Sequence, residues 1–244
     1  MNILVLIISI ILIIVGIVLL CLNQIDNYQN DLPVMHIINL ADDRGKIRRN
    51  YLKKHLGKHK VKYVLEKAVD KKKLDLSNYD PILKNVQRDL TEGEIALARS
   101  HKELYKKLLK SNQSYFLIAE DDVAVKDDFN EILRDLLKNL PKDFDWIKLE
   151  WNGYSGKPSY NSNQKFELKR GLKNCTACYL ISRNGAKMIL DINPDNQEWL
   201  ASDGVMDYRW IKKLNIRKPK DYYISPKIAW QEQENVVQTS GTHR

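Results

Sequence analysis

The stretch Tyr115-Phe-Leu-Ile-Ala-Glu120-Asp121-Asp122-Val123 decides the architecture, because an apolar run stops abruptly on three carboxylates. A short unbroken apolar run suits a strand buried on both faces, as in parallel sheets flanked by helices. Adjacent like charges repel, so such a triplet is best tolerated where water or a cation shares it. In an open parallel sheet that place is the crevice at the carboxyl ends of the strands, where ligands bind. Alternation along the strand turns Glu120 and Asp122 toward the crevice and Asp121 elsewhere. Their hard oxygens suit Mg2+ or Mn2+. A solvated turn before the next helix is the competing structural account.

On either side of this stretch, residues 34–40, 61–64, 146–149 and 178–182 read as further strands, with longer helical patterns between them. That alternation predicts a single α/β domain with a mostly parallel central sheet. Thr91-Glu-Gly-Glu94 has the form of a capping box and starts a helix that runs to about Lys110, with Ala98, His101, Leu104, Tyr105 and Leu108 on one stripe. A second helix is capped by Asp127 or Asp128, turns Phe129, Ile132, Leu133, Leu136, Leu137 and Leu140 inward, and stops at Pro141. A third begins near Asn184-Gly185, and residues 203–214 read as a fourth.

Residues 3–22 are almost wholly apolar and carry no charge, which at about 1.5 Å per residue spans about 30 Å of hydrocarbon. A cleaved signal peptide would want a basic start and a small-residue cleavage site, and Met1-Asn2 begins neither. The expected organisation is a transmembrane anchor over 1–22, a polar tether over 23–31 and a catalytic domain over 32–244. The flanking residues Asn2, Asp26 and Asp31 give the positive-inside rule little to act on.

The net charge of +9 comes from 40 basic against 31 acidic residues that alternate along amphipathic segments. No zinc finger, basic zipper or RNA-binding aromatic signature accompanies it, so nucleic acid is not the expected partner. The basic balance favours phosphorylated small molecules or an anionic surface. Of the three cysteines, Cys21 falls in the apolar run, and Cys175 and Cys178 form a lone C-x-x-C leading into Tyr179-Leu-Ile181. Without a second ligand pair this predicts two buried small residues rather than a zinc or redox site.

Four segments, in order, resemble the family 25 glycosyltransferases, the lipooligosaccharide and procollagen galactosyltransferase group. His36-Ile-Ile-Asn39-Leu40 followed by Arg44, Arg48 and Arg49 is similar to the family's first strand and its downstream arginine. Leu90-Thr-Glu-Gly-Glu-Ile-Ala96 with Ser100-His101 resembles its "LTxGEIA…SH" segment. Phe116 to Val123 resembles its "EDDV" strand end, and Thr176 to Ala186 its "GTxAYLISxxGA" segment. The chain departs from the pattern at Cys175, where the family usually has Gly, and at Cys178, where it usually has Ala. The resemblance implies a GT-A-like, Rossmann-like fold, a nucleotide-sugar donor, a divalent metal and inversion at the anomeric carbon.

With that resemblance, Glu120 and Asp122 are expected to hold Mn2+ or Mg2+, and Glu120 and Asp121 to meet the donor. Asn39 is expected at the nucleotide and Arg44 or Arg48 at a phosphate, against a solvated helix start. An inverting transfer needs a carboxylate to deprotonate the acceptor hydroxyl. Asp203 is the leading candidate, with Asp122 also catalytic, and a helix N-cap is the structural alternative for Asp203. Trp151, Tyr154 and Tyr160 offer surfaces on which a sugar stacks. His101 is a further acceptor-side candidate, against the commoner role of a satisfied structural histidine. Gln231 and His243 belong to a polar tail able to close over the donor. The expected partners are a UDP-hexose, a glycan, lipid-linked or protein acceptor such as a hydroxylysine-like hydroxyl, and a membrane, in a type II arrangement with a lumenal domain. A metal-dependent phosphodiesterase or nucleotidyltransferase, and a non-catalytic anchored binding protein, are the competing classes.

Overall fold

The computed structural model describes residues 10–18, 32–77, 90–151, 166–171, 173–195, 201–207 and 217–232. The strands are β1 (Met35–Asn39), β2 (Tyr63–Lys67), β3 (Tyr115–Glu120), β4 (Val123–Val125), β5 (Trp146–Lys148), β6 (Glu167–Arg170), β7 (Cys178–Ser182), β8 (Asp221–Ser225) and β9 (Ala229–Gln231). The helices are α1 (Asp43–Lys58), α2 (Glu92–Lys110), α3 (Phe129–Lys138) and α4 (Arg183–Ile192). Seven strands form one sheet in the order β2-β1-β3-β7-β5-β8-β6, and β4 pairs with β9 in a separate ribbon. β2, β1, β3, β5 and β8 run one way, while β7 and β6 run against them. The result is a mixed α/β domain whose sheet is mostly parallel.

Period-two alternation sends the strands' side chains to two separate cores. Met35, Ile37, Leu117, Ile147 and Leu180 meet α1 and α3 on one face. Ile38, Ile118, Trp146, Tyr179 and Ile181 meet α2 and α4 on the other. β1 and β7 are buried along their whole length, so their sequences are continuous rather than alternating.

Local chemistry sets the helix starts. Thr91 Oγ1 accepts from the Glu94 amide at 3.3 Å, and the Glu94 carboxylate accepts from Thr91 N at 2.9 Å, completing the box at the head of α2. Asp42 caps α1 through Gly45 N at 2.8 Å. A Cβ on Gly45 would sit 1.8 Å from the Leu40 carbonyl oxygen, so only glycine lets α1 start this close to the end of β1. That tight start brings Arg48 and Arg49 back over the sheet edge.

Two expectations change. The second strand is Tyr63–Lys67 rather than 61–64, after a turn in which Lys60 takes a φ of 53°. In place of a helix from residue 203, Gly204–Met206 form one 3-10 turn that ends at Asp207, and residues 208–216 lie outside the described residues. Residues 10–18 are helical with largely exposed apolar side chains, and among the described residues no helix is long and apolar enough to cross a membrane. The rest of the 3–22 run lies outside them.

Candidate active site

β3 ends at Glu120, and Asp121 and Asp122 form the turn that follows. All three carboxylates line a cavity of about 770 Å3 at the carboxyl end of β3. Arg44, Arg48, Lys71 and Lys72 line the same cavity, as does Asp203.

Each carboxylate of the triplet is held differently. Glu120 Oε1 accepts from Thr176 Oγ1 at 2.7 Å and lies 3.6 Å from His101 Nε2. Burial drives the Glu120 carboxyl upward, but His101, Thr176 and the Arg48 charge outweigh it and hold it below the usual range. Asp121, 5% exposed, accepts from Arg48 and, at 2.7 Å, from Asn39 Nδ2. Arg48 Nη2 lies 3.7 Å from Asp122 Oδ2, and among the described residues Asp122 Oδ1 is buried without a hydrogen-bond partner. Burial, with Glu120 and Asp121 beside it and Arg48 opposing, pushes its carboxyl up to about 7.

Such an orphaned buried oxygen is costly unless something binds it. Among the described residues no three His, Cys, Asp or Glu side chains converge as a ready-made metal cage. Mg2+ and Mn2+ at phosphate sites are held by one or two carboxylates together with substrate phosphates. The chain's own residues therefore fit a donor-borne cation, with Asp122 and Glu120 the side chains that would hold it.

The structure places the expected residues unevenly. Asn39 stands behind the wall: its Nδ2 donates to Gly45 O at 3.1 Å and to Asp121, and its Oδ1 accepts from Arg49 Nη1 at 2.7 Å. It positions Asp121 and is not among the residues that line the cavity. Arg48 spends its guanidinium on Asp121 and Asp122, while Arg44 is on the wall. Asp203 precedes the 3-10 turn and makes no side-chain cap, so the capping alternative does not hold. Trp151 is fixed against β8, with Nε1 donating to Ile224 O at 2.8 Å and its ring edge-on to Tyr223. His101 is 1% exposed and sits behind Glu120 on α2, away from the cavity. Gln231 lines the cavity. Tyr154, Tyr160 and His243 lie outside the described residues.

Lys148 carried no weight in the sequence, and the contacts of Ser100 and Cys175 went unread there. Ser100 Oγ accepts from Val69 N at 2.8 Å and donates to Ala96 O at 2.7 Å, tying the loop after β2 to α2. Lys148 is fully buried, donates from Nζ to Cys175 O, and lies 2.9 Å from Met206 Sδ and 5.0 Å from the Tyr179 ring centre. Burial pushes its amine down to about 8, against the pull of Cys175, Asp203, Glu150 and Glu120. A lone lysine inside an apolar strand was the available signal. Cys175 holds a φ of 101°, a region that favours glycine, and Cys175 and Cys178 are buried free thiols.

A crossed α/β sheet with carboxylates and cations facing one cavity at strand ends defines a ligand-binding α/β enzyme domain. Residues 33–206 match the model of "Glycosyltransferase family 25 (LPS biosynthesis protein)", and the chain belongs to that family of glycosyltransferases. It is 23% identical to a Haemophilus influenzae protein named "Putative glycosyltransferase", over 81% of this chain and 70% of that one. It is 28% identical to Procollagen galactosyltransferase 1-A and 1-B of Xenopus laevis over 65% of this chain. The chain spans only 28% of the length of those two proteins. A solved glycosyltransferase involved in glycosylation of the major capsid of PBCV-1 aligns over 67% of this chain and 68% of its own, at 9% identity and a TM-score of 0.35, too loosely to bear on function.

Proposed function

We propose that the domain is a GT-A-like, inverting hexosyltransferase that moves galactose or glucose from a UDP-sugar to a glycan, lipid-linked or protein hydroxyl, with Mn2+ or Mg2+. The observation that carries this reading is Asp122 Oδ1, buried beside Glu120 and unpartnered among the described residues, in a cavity that cationic side chains also line. A divalent cation there would neutralise the charge of the leaving diphosphate. Arg44, Lys71 and Lys72, on the wall of the same cavity, would grip phosphate oxygens electrostatically. Asp203, uncapped and on the wall, is the base that takes the acceptor's proton as its oxygen attacks the anomeric carbon opposite the diphosphate. The names of the frog relatives favour galactose and a protein acceptor.

A screen of UDP-hexoses with the full chain tests the reading. Release of UDP from UDP-galactose or UDP-glucose that disappears on chelation and returns with Mn2+ is expected, and undiminished turnover in a chelator would refute the metal role.

Residues 3–22 are proposed to anchor the domain as a single-pass, type II segment with the domain lumenal. The support is their uncharged length. Alkaline carbonate extraction should leave the chain with the membrane; release to the supernatant would contradict an anchor.

A further inference from the structure

Behind Glu120 a row of buried polar side chains runs away from the cavity. Tyr105 Oη lies 2.7 Å from Tyr179 Oη, Tyr179 Oη lies 2.8 Å from His101 Nδ1, and His101 Nε2 lies 3.6 Å from Glu120 Oε1. Tyr105 and His101 are 1% exposed and Tyr179 is 0% exposed, so water does not complete the row.

The direction of the hydrogen bonds is decided at the inner end. Among the described residues Tyr105 Oη has Tyr179 as its hydrogen-bond partner and no other. Tyr105 must therefore donate, because otherwise a buried hydroxyl proton is left without an acceptor. Tyr179, having accepted from Tyr105, gives its own proton to His101 Nδ1. An imidazole that accepts at Nδ1 carries its hydrogen on Nε2. That nitrogen is buried, has no hydrogen-bond partner among the described residues and lies beside Glu120. The reverse arrangement fails at both ends, stranding the Tyr105 proton and turning a nitrogen lone pair toward a carboxylate oxygen.

We propose that His101 is a positioning residue for Glu120, with Tyr105 and Tyr179 setting its tautomer so that Nε2–H closes onto Glu120 Oε1 when donor fills the cavity. The inference rests on the donor site proposed above. At 3.6 Å the contact is too long for a hydrogen bond, and such bonds commonly tighten only when ligand arrives. Thr176 Oγ1 already holds the same oxygen at 2.7 Å. With both donors on Oε1, the carboxylate is fixed in rotation and Oε2 is left for the ligand. Outer partners of this kind orient the groups that do the binding.

The test uses the full chain with UDP-galactose and three variants: His101→Leu, which fills the space without a donor; His101→Gln, whose amide nitrogen stands near Nε2; and Tyr179→Phe. His101→Leu is expected to lower the kcat of the folded enzyme about 10–100-fold and to melt below wild type, because the buried Tyr179 proton loses its acceptor, and His101→Gln to restore most of the kcat. Histidine 15N spectra, assigned by the signal missing from His101→Gln, should place the His101 proton on Nε2 in wild type and on a mixture of nitrogens in Tyr179→Phe. A wild-type proton on Nδ1 would overturn the proposal, as would an unchanged kcat in His101→Leu, or a folded His101→Gln as inactive as the leucine variant. Should wild type turn over no nucleotide sugar, the proposed function fails, and the position of the proton alone then decides this inference.

Discussion

The two faces of the central sheet bury similar apolar side chains in different company. The face under α1 and α3 packs Met35, Ile37, Leu117, Leu133 and Leu180 against one another. The face under α2 and α4 packs Ile38, Ile118 and Ile181 alongside Tyr105 and Tyr179, whose hydroxyls lead through His101 to Glu120. Lys148 is buried nearby with its amine on Cys175 O and Met206 Sδ. One face supplies cohesion; the other also carries buried polar groups that reach the cavity wall. Buried polar groups stiffen a structure only when satisfied, so substitutions on the two faces should separate stability from activity.

The largest separation is expected at the cavity itself. Asp122→Asn should cut transfer about 1,000-fold, roughly 4 kcal/mol of transition-state stabilisation. It should also leave metal-free thermal unfolding unchanged or improved at pH 8. The sign follows from the raised carboxyl of Asp122, near 7. The folded state prefers the neutral form, so this group's contribution to stability declines as pH climbs from about 4 to about 7, and a neutral amide escapes that decline. A large drop in melting temperature would mark Asp122 as structural.

On the apolar face the expectation is inverted. Leu133→Ala removes a side chain of α3 that is 1% exposed against the sheet and should cost about 2–5 kcal/mol in urea unfolding. The kcat of the molecules that remain folded should not change. A matching fall in kcat would show that the two faces are coupled.

His55 belongs to α1, and its Nε2 accepts from Val125 N at 2.9 Å, tying the β4–β9 ribbon to that helix. Burial, then the neighbouring His59, push its imidazole down to about 4. Protonation at Nε2 would also break the bond to Val125. A depressed histidine contributes stability above its unfolded value, about 6.5, that is lost as pH falls toward 4. Wild type should therefore lose about 1–2 kcal/mol more than His55→Gln between pH 7 and pH 5. Equal losses in urea titrations would remove the ribbon tie from the account.

The smallest effect concerns Cys175. Its φ of 101° costs a residue with a Cβ, so Cys175→Gly should raise stability by about 1 kcal/mol. A lower melting temperature would mean that the buried thiol packs well enough to offset the strain.

The sequence made the α2/β3/β7 centre legible because its signals are local. A capping box starts α2, a dense apolar run makes β3, and Ser182 Oγ, accepting from Gly185 N at 3.1 Å, caps α4. β4, β6, β8 and β9 are three to five residues long and owe their existence to partners distant in sequence, as when Glu167 pairs with Ser225. No local pattern announces such pairings. Glu120 and Asp122 were legible as cavity residues because an acidic cluster at a strand end marks a site without knowledge of tertiary contacts, whereas Asp203 was legible only through the family resemblance. Asn39 and His101 were visible as polar residues, but whether they face a cavity or stand one layer behind it depends on Asp121 and Glu120. Lys148 was hidden because its acceptor, Cys175 O, is 27 residues away.

The most direct measurement is a calorimetric titration of the full chain with UDP, with and without Mn2+, in wild type and in Asp122→Asn. Wild type should bind UDP at least about tenfold more tightly with Mn2+, a gain of about 1.4 kcal/mol, and Asp122→Asn should show no such gain. UDP binding that ignores Mn2+ in wild type, or a variant that keeps the full gain, would contradict the claim that the carboxylates closing β3 receive a cation-bridged diphosphate.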